Sequence, residues 1–167
     1  PVRGAMIDIS RDKIPTMDSL YRLIDLLAEF KTNQLQFYVE GFSFRYSFLP
    51  DPPVPVPGDV WTPLTGEQVE LLDRYAAERF IELVPNQNAL GHMAPWLSLE
   101  QYRHLAECPE GFTAFGMPNP PATLNPLHPE SLQLVARMID DLRPHFTSGL
   151  FSANLDEPFE LGEGASR

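Results

Sequence analysis

The sequence predicts an α/β fold built on a parallel sheet. Short apolar runs of about five residues alternate with stretches whose apolar residues recur at helical spacing. The runs are separated by the lengths that βαβ crossovers need. The turn after the first run, Asp8-Ile9-Ser10-Arg11-Asp12, lacks the Gly-x-Gly-x-x-Gly pattern that cradles a dinucleotide phosphate. Four such units make half of an eight-stranded barrel or a small open sheet, and the count alone does not choose.

The elements follow in order. Ala5–Ile9 reads as the first strand. Thr16 caps the next helix, whose stripe Leu20, Leu23, Ile24, Leu27 follows i, i+3, i+4, i+7. Leu35–Glu40 is the second strand. Thr65-Gly66-Glu67-Gln68 opens a second helix with the stripe Val69, Leu72, Tyr75, Ala76, Phe80. Ile81–Pro85 is the third strand. A weaker third helix is expected over 98–107, capped by Ser98 with Gln101. Residues 108–129 form a loop rich in proline and glycine, and Pro129 suits the first position of a last helix. Its stripe is Val135, Met138, Ile139, Leu142, Phe146. Leu150–Leu155 is the fourth strand.

Between the second strand and the second helix stand Pro50, Pro52, Pro53, Pro55, Pro57 and Pro63. Prolines at that density favour a stiff, extended connection, in which Trp61 reads as an anchor more than as a sugar platform.

At 167 residues, the chain has room for one ordinary domain. Its net charge of −11 argues against nucleic acid and against an anionic membrane surface. No run is long and apolar enough to span a membrane. Cys108 is the single cysteine, so no internal disulfide forms, and it reads as an inert thiol. With no signal peptide in this stretch, which starts at Pro1, the compartment stays open, with the cytoplasm favoured.

The chemistry-bearing residues gather at strand ends. Glu40 closes the second strand, His92 follows the third, and Asp156 and Glu157 close the fourth. C-terminal strand ends of a parallel sheet share one face, so these four are expected to converge. Arg3 precedes the first strand and falls at the opposite end by linear count. Adjacent residues of a regular strand point to opposite faces. For Asp156 and Glu157 to serve one pocket, the backbone must therefore leave strand geometry, and Pro158 fits such a break. Two carboxylates flanking a glycosidic bond stand about 5–5.5 Å apart in retaining enzymes and about 6.5–9.5 Å in inverting ones. Neighbours in sequence are poorly placed for that. A metal set from His92 and Glu40 lacks the tight spacing of a ligand motif, so neither metal nor cofactor is expected.

These residues resemble a family. Arg3-Gly4-Ala5-Met6-Ile7-Asp8-Ile9-Ser10-Arg11, then Glu82-Leu83-Val84-Pro85 with Gly91-His92, then Asn154-Leu155-Asp156-Glu157, are similar in order and spacing to motifs of glycoside hydrolase family 20, the β-N-acetylhexosaminidases. The resemblance implies a (β/α)8 barrel of the TIM type, of which residues 1–167 would be the N-terminal half, strands one to four. It implies retaining hydrolysis of terminal GlcNAc or GalNAc glycosides, with the substrate's own 2-acetamido oxygen as nucleophile. By position, Glu157 would be the general acid/base and Asp156 would orient the acetamido group. Arg3 would bind sugar hydroxyls, and His92 with Glu40 would form a supporting relay. Leu155 stands where the family usually has glycine. The implied partner is an oligosaccharide or glycoconjugate bearing N-acetylhexosamine. Half a barrel would leave strand edges open. The chain alone is therefore expected to be inactive, and to associate with itself or with a complementing C-terminal half. The alternatives are a non-catalytic carbohydrate-binding or scaffold remnant of such a barrel and a metal-dependent barrel hydrolase.

Overall fold

The computed structural model describes residues 1–11, 13–50 and 62–167. Trp61 and most of the proline-rich connection lie outside the described residues. The chain divides into two compact units, residues 1–86 with 140–152, and residues 87–139 with 153–167.

The first unit is built on β1 (Gly4–Asp8), β2 (Gln34–Tyr38) and β3 (Glu82–Val84), parallel and in the order β1-β2-β3. Gly4 pairs with Gln34, and Leu35 with Leu83. Alternation along β2 puts Leu35 and Phe37 on one face, where they are buried. The other face carries Met6, Gln34 and Gln36, and Met6 is 56% exposed. On that face Asn86 Nδ2 donates to Gln36 Oε1 at 3.0 Å and to Ser152 Oγ at 3.3 Å.

Two helices join these strands. In α1 (Met17–Glu29), Thr16 Oγ1 accepts the Ser19 amide, and Leu20 and Ile24 are fully buried. In α2 (Gly66–Ala77), Thr65 and Gln68 form a full capping box. Gln68 N donates to Thr65 Oγ1 at 3.2 Å, and Thr65 N to Gln68 Oε1 at 2.9 Å. Val69, Leu72 and Ala76 are buried, as their spacing predicts, whereas Phe80, expected in the same stripe, lies past the helix end and is exposed. Both helices end on a residue in the left-handed region, Lys31 and Phe80, where glycine is the usual choice. No glycine marks those ends in the sequence. The unit closes with Thr147, which donates its amide and hydroxyl to the buried Asp73 carboxylate at 3.2 and 2.8 Å.

The fourth expected strand does not extend the three-stranded ladder. Pro85 has no amide hydrogen, so the β3 ladder stops there. The chain continues as β4 (Asn86–Asn88), which pairs with the strand at 152–154. The Ser152 amide bonds the Pro85 carbonyl at 2.9 Å.

The second unit departs furthest from expectation. No helix spans 98–107. The helix is the single turn α3 (Ala94–Leu97), opened by Pro95, and Ser98 is its last cap. Ser98 Oγ donates back to the Pro95 carbonyl at 2.7 Å instead of starting a new helix. Residues Arg103–Leu105 form one 3-10 turn. The expected loop at 108–129 contains a hairpin, β5 (Phe112–Ala114) with β6 (Met117–Asn119), turned by Phe115 and Gly116 at positive φ. In α4 (Pro129–Leu142) the buried face is Ser131, Leu134, Met138 and Leu142. That face is turned by one position from the expected stripe, and Val135 and Ile139 sit at its half-buried margin. The last strand is β7 (Ser152–Asn154).

Around Trp96, which is fully buried, the unit is held largely by backbone bonds between loops. Leu124 N donates to Leu90 O, Met93 N to Ala122 O, and Glu107 N to Thr123 O, all at 2.8–2.9 Å. Burial, then the nearby charges of Glu160, Glu107 and Glu163, push the Cys108 thiol above its ordinary pKa. That suppresses the reactive thiolate, as an inert thiol requires.

Candidate active site

His92, Asp156 and Glu157 meet in the second unit. His92 Nε2 lies 3.1 Å from Glu157 Oε2 and 3.7 Å from Asp156 Oδ2. The imidazole is mostly covered, whereas the Asp156 and Glu157 side chains are 42% and 54% exposed. One ring nitrogen thus addresses both carboxylates while each keeps an open side. A regular strand could not achieve this, and the backbone shows how it is done. β7 ends at Asn154, and Glu157 sits at φ 43°. His92 is also left-handed, at φ 53°. Among the described residues five non-glycines have positive φ, and two of them are in this cluster. Such conformations cost on the order of 1–3 kcal/mol each and persist where the surroundings dictate them.

Gly91 is part of the surroundings. A Cβ there would stand 2.0 Å from the Asp156 carbonyl oxygen and 2.8 Å from the Glu157 carbonyl carbon. The acid-bearing backbone passes where only a glycine leaves room. Beyond the pair, Phe159 N bonds the Glu157 carbonyl at 2.8 Å, and the Phe159 ring meets Phe115 edge-on at 5.7 Å. Leu155, in the place of the usual glycine, points its side chain outward, 58% exposed.

A third device holds the chain after the acids. Glu107 is fully buried and accepts the Gly164 amide at 3.1 Å, the Ser166 amide at 2.9 Å and the Ser166 hydroxyl at 2.7 Å. Burial alone would raise its pKa, but the bonds from Ser166, Gly164 and Gly162 outweigh it and hold the carboxyl below its usual range.

Glu40 and Arg3 belong to the first unit. Glu40 lies two residues past β2, at the C-terminal edge of the sheet, and its amide donates to the buried Ser10 Oγ at 2.8 Å. Ser10 Oγ also reaches the Tyr38 carbonyl and Ser43 Oγ, both at 2.9 Å. Arg3 is at the opposite edge. Its Nε donates to the Lys31 carbonyl at 2.6 Å, and its amide to Asn33 Oδ1 at 2.7 Å. The structure thus places Arg3 at the sheet edge opposite to Glu40. A residue before β1 marks the N-terminal end, and its guanidinium is occupied in tying β1 to the end of α1.

The guanidinium at the other edge is that of Arg11. Its Nε meets Asp8 Oδ2 at 2.5 Å, and its guanidinium carbon lies 5.3 Å from the Tyr38 ring centroid. The Asp8 hydrogen bond and the charges of Asp8 and Glu40 raise its pKa, against a smaller opposing effect of burial. Asp8, partly buried, is held below its ordinary value because bonds from Ser10 and Arg11 outweigh desolvation. Arg11 was visible in the sequence. Counting forward from the end of the first strand, not back from its start, finds it.

A model of a glycosyl hydrolase family 20 catalytic domain matches residues 1–161. The chain belongs to glycosyl hydrolase family 20. In its homologues this catalytic domain is a TIM barrel. Solved structures similar to this family 20 chain include a chitobiase from Flavobacterium johnsoniae, 24% identical with a TM-score of 0.72, covering 95% of this chain and 24% of that one. An exo β-N-acetylglucosaminidase from Vibrio harveyi, in complex with N-acetylglucosamine, is 20% identical with a TM-score of 0.75, covering 93% and 27%. A mutant β-hexosaminidase from Streptomyces plicatus with GlcNAc as product is 21% identical with a TM-score of 0.74, covering 96% and 34%. The chain thus spans about a quarter to a third of the length of these relatives. A comparison with curated protein sequences gives no match.

Proposed function

We propose that the protein carrying this chain is a retaining exo-β-N-acetylhexosaminidase that works by substrate-assisted catalysis on terminal GlcNAc or GalNAc glycosides. The observation that carries the reading is the reach of one histidine nitrogen to two sequence-adjacent carboxylates, at 3.1 and 3.7 Å. Acids on opposite sides of a sugar would suit a protein nucleophile. Acids side by side suit a reaction whose nucleophile is in the substrate.

In this mechanism the acetamido oxygen attacks the anomeric carbon as the bond to the leaving oxygen breaks. Glu157 gives that oxygen its proton. Asp156 accepts the acetamido N–H, aligns the attacking oxygen and stabilises the positive charge that spreads over the oxazolinium ring. Water then adds at the anomeric carbon, Glu157 takes its proton, and the ring reopens with net retention. His92, hydrogen-bonded to Glu157, holds that carboxyl in place through its change of protonation state. As the resemblance implies, Glu40 is proposed to act with His92 as a supporting relay and Arg3 as a donor to sugar hydroxyls; Arg11, at the same sheet edge as Glu40, is a second candidate donor.

The test is hydrolysis of a chromogenic β-N-acetylglucosaminide by the purified protein. Glu157→Gln should lower kcat by about 10²–10⁴. Asp156→Asn should lower it by about 10²–10³, with KM changed little, since its contact strengthens in the transition state. The matching β-glucoside, which has no acetamido group, should be turned over poorly. Full activity of Glu157→Gln, or equal turnover of the two glycosides, would overturn the mechanism.

A further inference from the structure

A second set of side chains, away from the acid pair, is arranged for ligation. His104 lies in the 3-10 turn Arg103–Leu105, while His128 and Glu130 bracket the first residue of α4. His104 Nε2 is 3.1 Å from Glu130 Oε2. The two imidazole rings stand 5.4 Å apart at 73°. One ligand atom from each residue lies within 4.8 Å of the others.

We propose that His104, His128 and Glu130 form a binding site for a divalent transition metal, Zn²⁺ by preference, that clips the base of the segment 105–127. Zinc bonds to nitrogen and carboxylate oxygen are about 2.0–2.2 Å, so tetrahedral ligand atoms stand about 3.3 Å apart. The His104–Glu130 pair, at 3.1 Å, is already close to that separation, and the His128 ligand atom, within 4.8 Å of both, needs to move at most about 1.5 Å. Two imidazoles with one carboxylate select zinc, copper or nickel over magnesium or calcium, which prefer all-oxygen shells. Three protein ligands leave a fourth position for water.

An exposed His–Glu ion pair is the plain alternative reading of His104 and Glu130. It leaves the second imidazole, set edge-on to the first, without a part, whereas a metal engages both rings and the carboxylate. His128 Nδ1 now accepts the Glu130 amide at 3.3 Å, the long end of hydrogen bonding, so little is lost when the ring turns to a metal. The charge of Glu130 offsets the positive end of the α4 dipole, which would otherwise repel a cation. The segment between the histidines holds the β5–β6 hairpin. Its base is already joined by Asn125 N to Leu105 O at 2.8 Å and by the Ala106–Leu124 bridge. A metal across it adds one more closure, and binding free energy becomes folding free energy.

Titration of the purified, metal-free protein with ZnCl₂ against a chromogenic chelator tests this, with cobalt absorption reporting nitrogen ligation. The His104→Gln/His128→Gln double variant and, separately, Glu130→Gln are compared with the parent by difference, after melting curves without metal confirm that each is folded. One equivalent should bind the parent and raise its melting temperature. Affinity should fall at least about tenfold in the double variant and measurably in Glu130→Gln. His92→Gln, which removes the imidazole of the other His–acid group, should leave this uptake intact. No uptake by the parent, less than a tenfold loss in the double variant, or a loss that follows His92→Gln would overturn the proposal.

Discussion

The two units differ in what specifies them. The first is a repeating pattern: short apolar runs in β1 to β3 and apolar residues at helical period in α1 and α2, with capping residues at the helix starts. Its contacts are mostly apolar, and any residue of suitable volume satisfies them. The second contains the acid pair and is specified otherwise. Its loops run against one another through backbone bonds, the buried Glu107 gathers three donors, and Gly91 makes room for another stretch of backbone. The candidate site lies where the chain is least periodic, because two adjacent carboxylates aimed at one histidine require irregular backbone, and a regular strand aims neighbours apart.

Three substitutions sharpen the contrast. Leu35→Ala in β2 removes a fully buried side chain at the centre of the sheet. It should cost about 2–5 kcal/mol by chemical denaturation, the largest stability effect of the three, since the cavity term adds to lost burial. A loss under 1 kcal/mol would show that the first unit is not governed by packing.

Gly91→Ala should cost about 1–3 kcal/mol through overpacking. Its signature is disproportionate loss of kcat, because the added methyl meets the carbonyls of Asp156 and Glu157 and must push the acids aside. An active, wild-type-like Gly91→Ala would mean that this close approach does not position the pair.

Glu107→Gln should cost about 1–3 kcal/mol, as a carboxylate accepting three donors becomes an amide whose NH₂ faces some of them. The pH dependence has a definite sign. The folded pKa of Glu107 is below its ordinary value of 4.5, so its contribution is fully present above that value and is lost as pH falls through the folded pKa. The parent should lose stability on acidification below about pH 4.5, and Glu107→Gln should lose less over the same interval. Parallel curves for the two proteins would remove Glu107 from the account.

The strands β1, β2, β3 and β7 and the helices α1, α2 and α4 are legible because burial writes apolar runs and helical periods into a sequence. The third helix was misplaced because Leu97, Leu99, Tyr102 and Leu105 offer apolar residues at near-helical intervals, while Pro95 and the back-bonding Ser98 hydroxyl end the helix early. The hairpin at 112–119 was hidden by its short strands and by a turn made with Phe115 as well as Gly116. At the site, the motifs named Asp156, Glu157 and His92, and the structure brings these three together. Linear count puts Arg3 at the N-terminal end of β1, where the structure has it, and Arg11 at the C-terminal end.

The sequence by itself determined the α/β class, the helix starts and the adjacency of the two acids. These are local properties, written in periodicity, caps and order along the chain. Only the tertiary structure decided that Asp156 and Glu157 both face His92, that Gly91 must lack a side chain, and that Glu107 holds the segment after the acids. Each depends on two backbone stretches meeting from distant parts of the chain, and residues 65 apart leave no period to read.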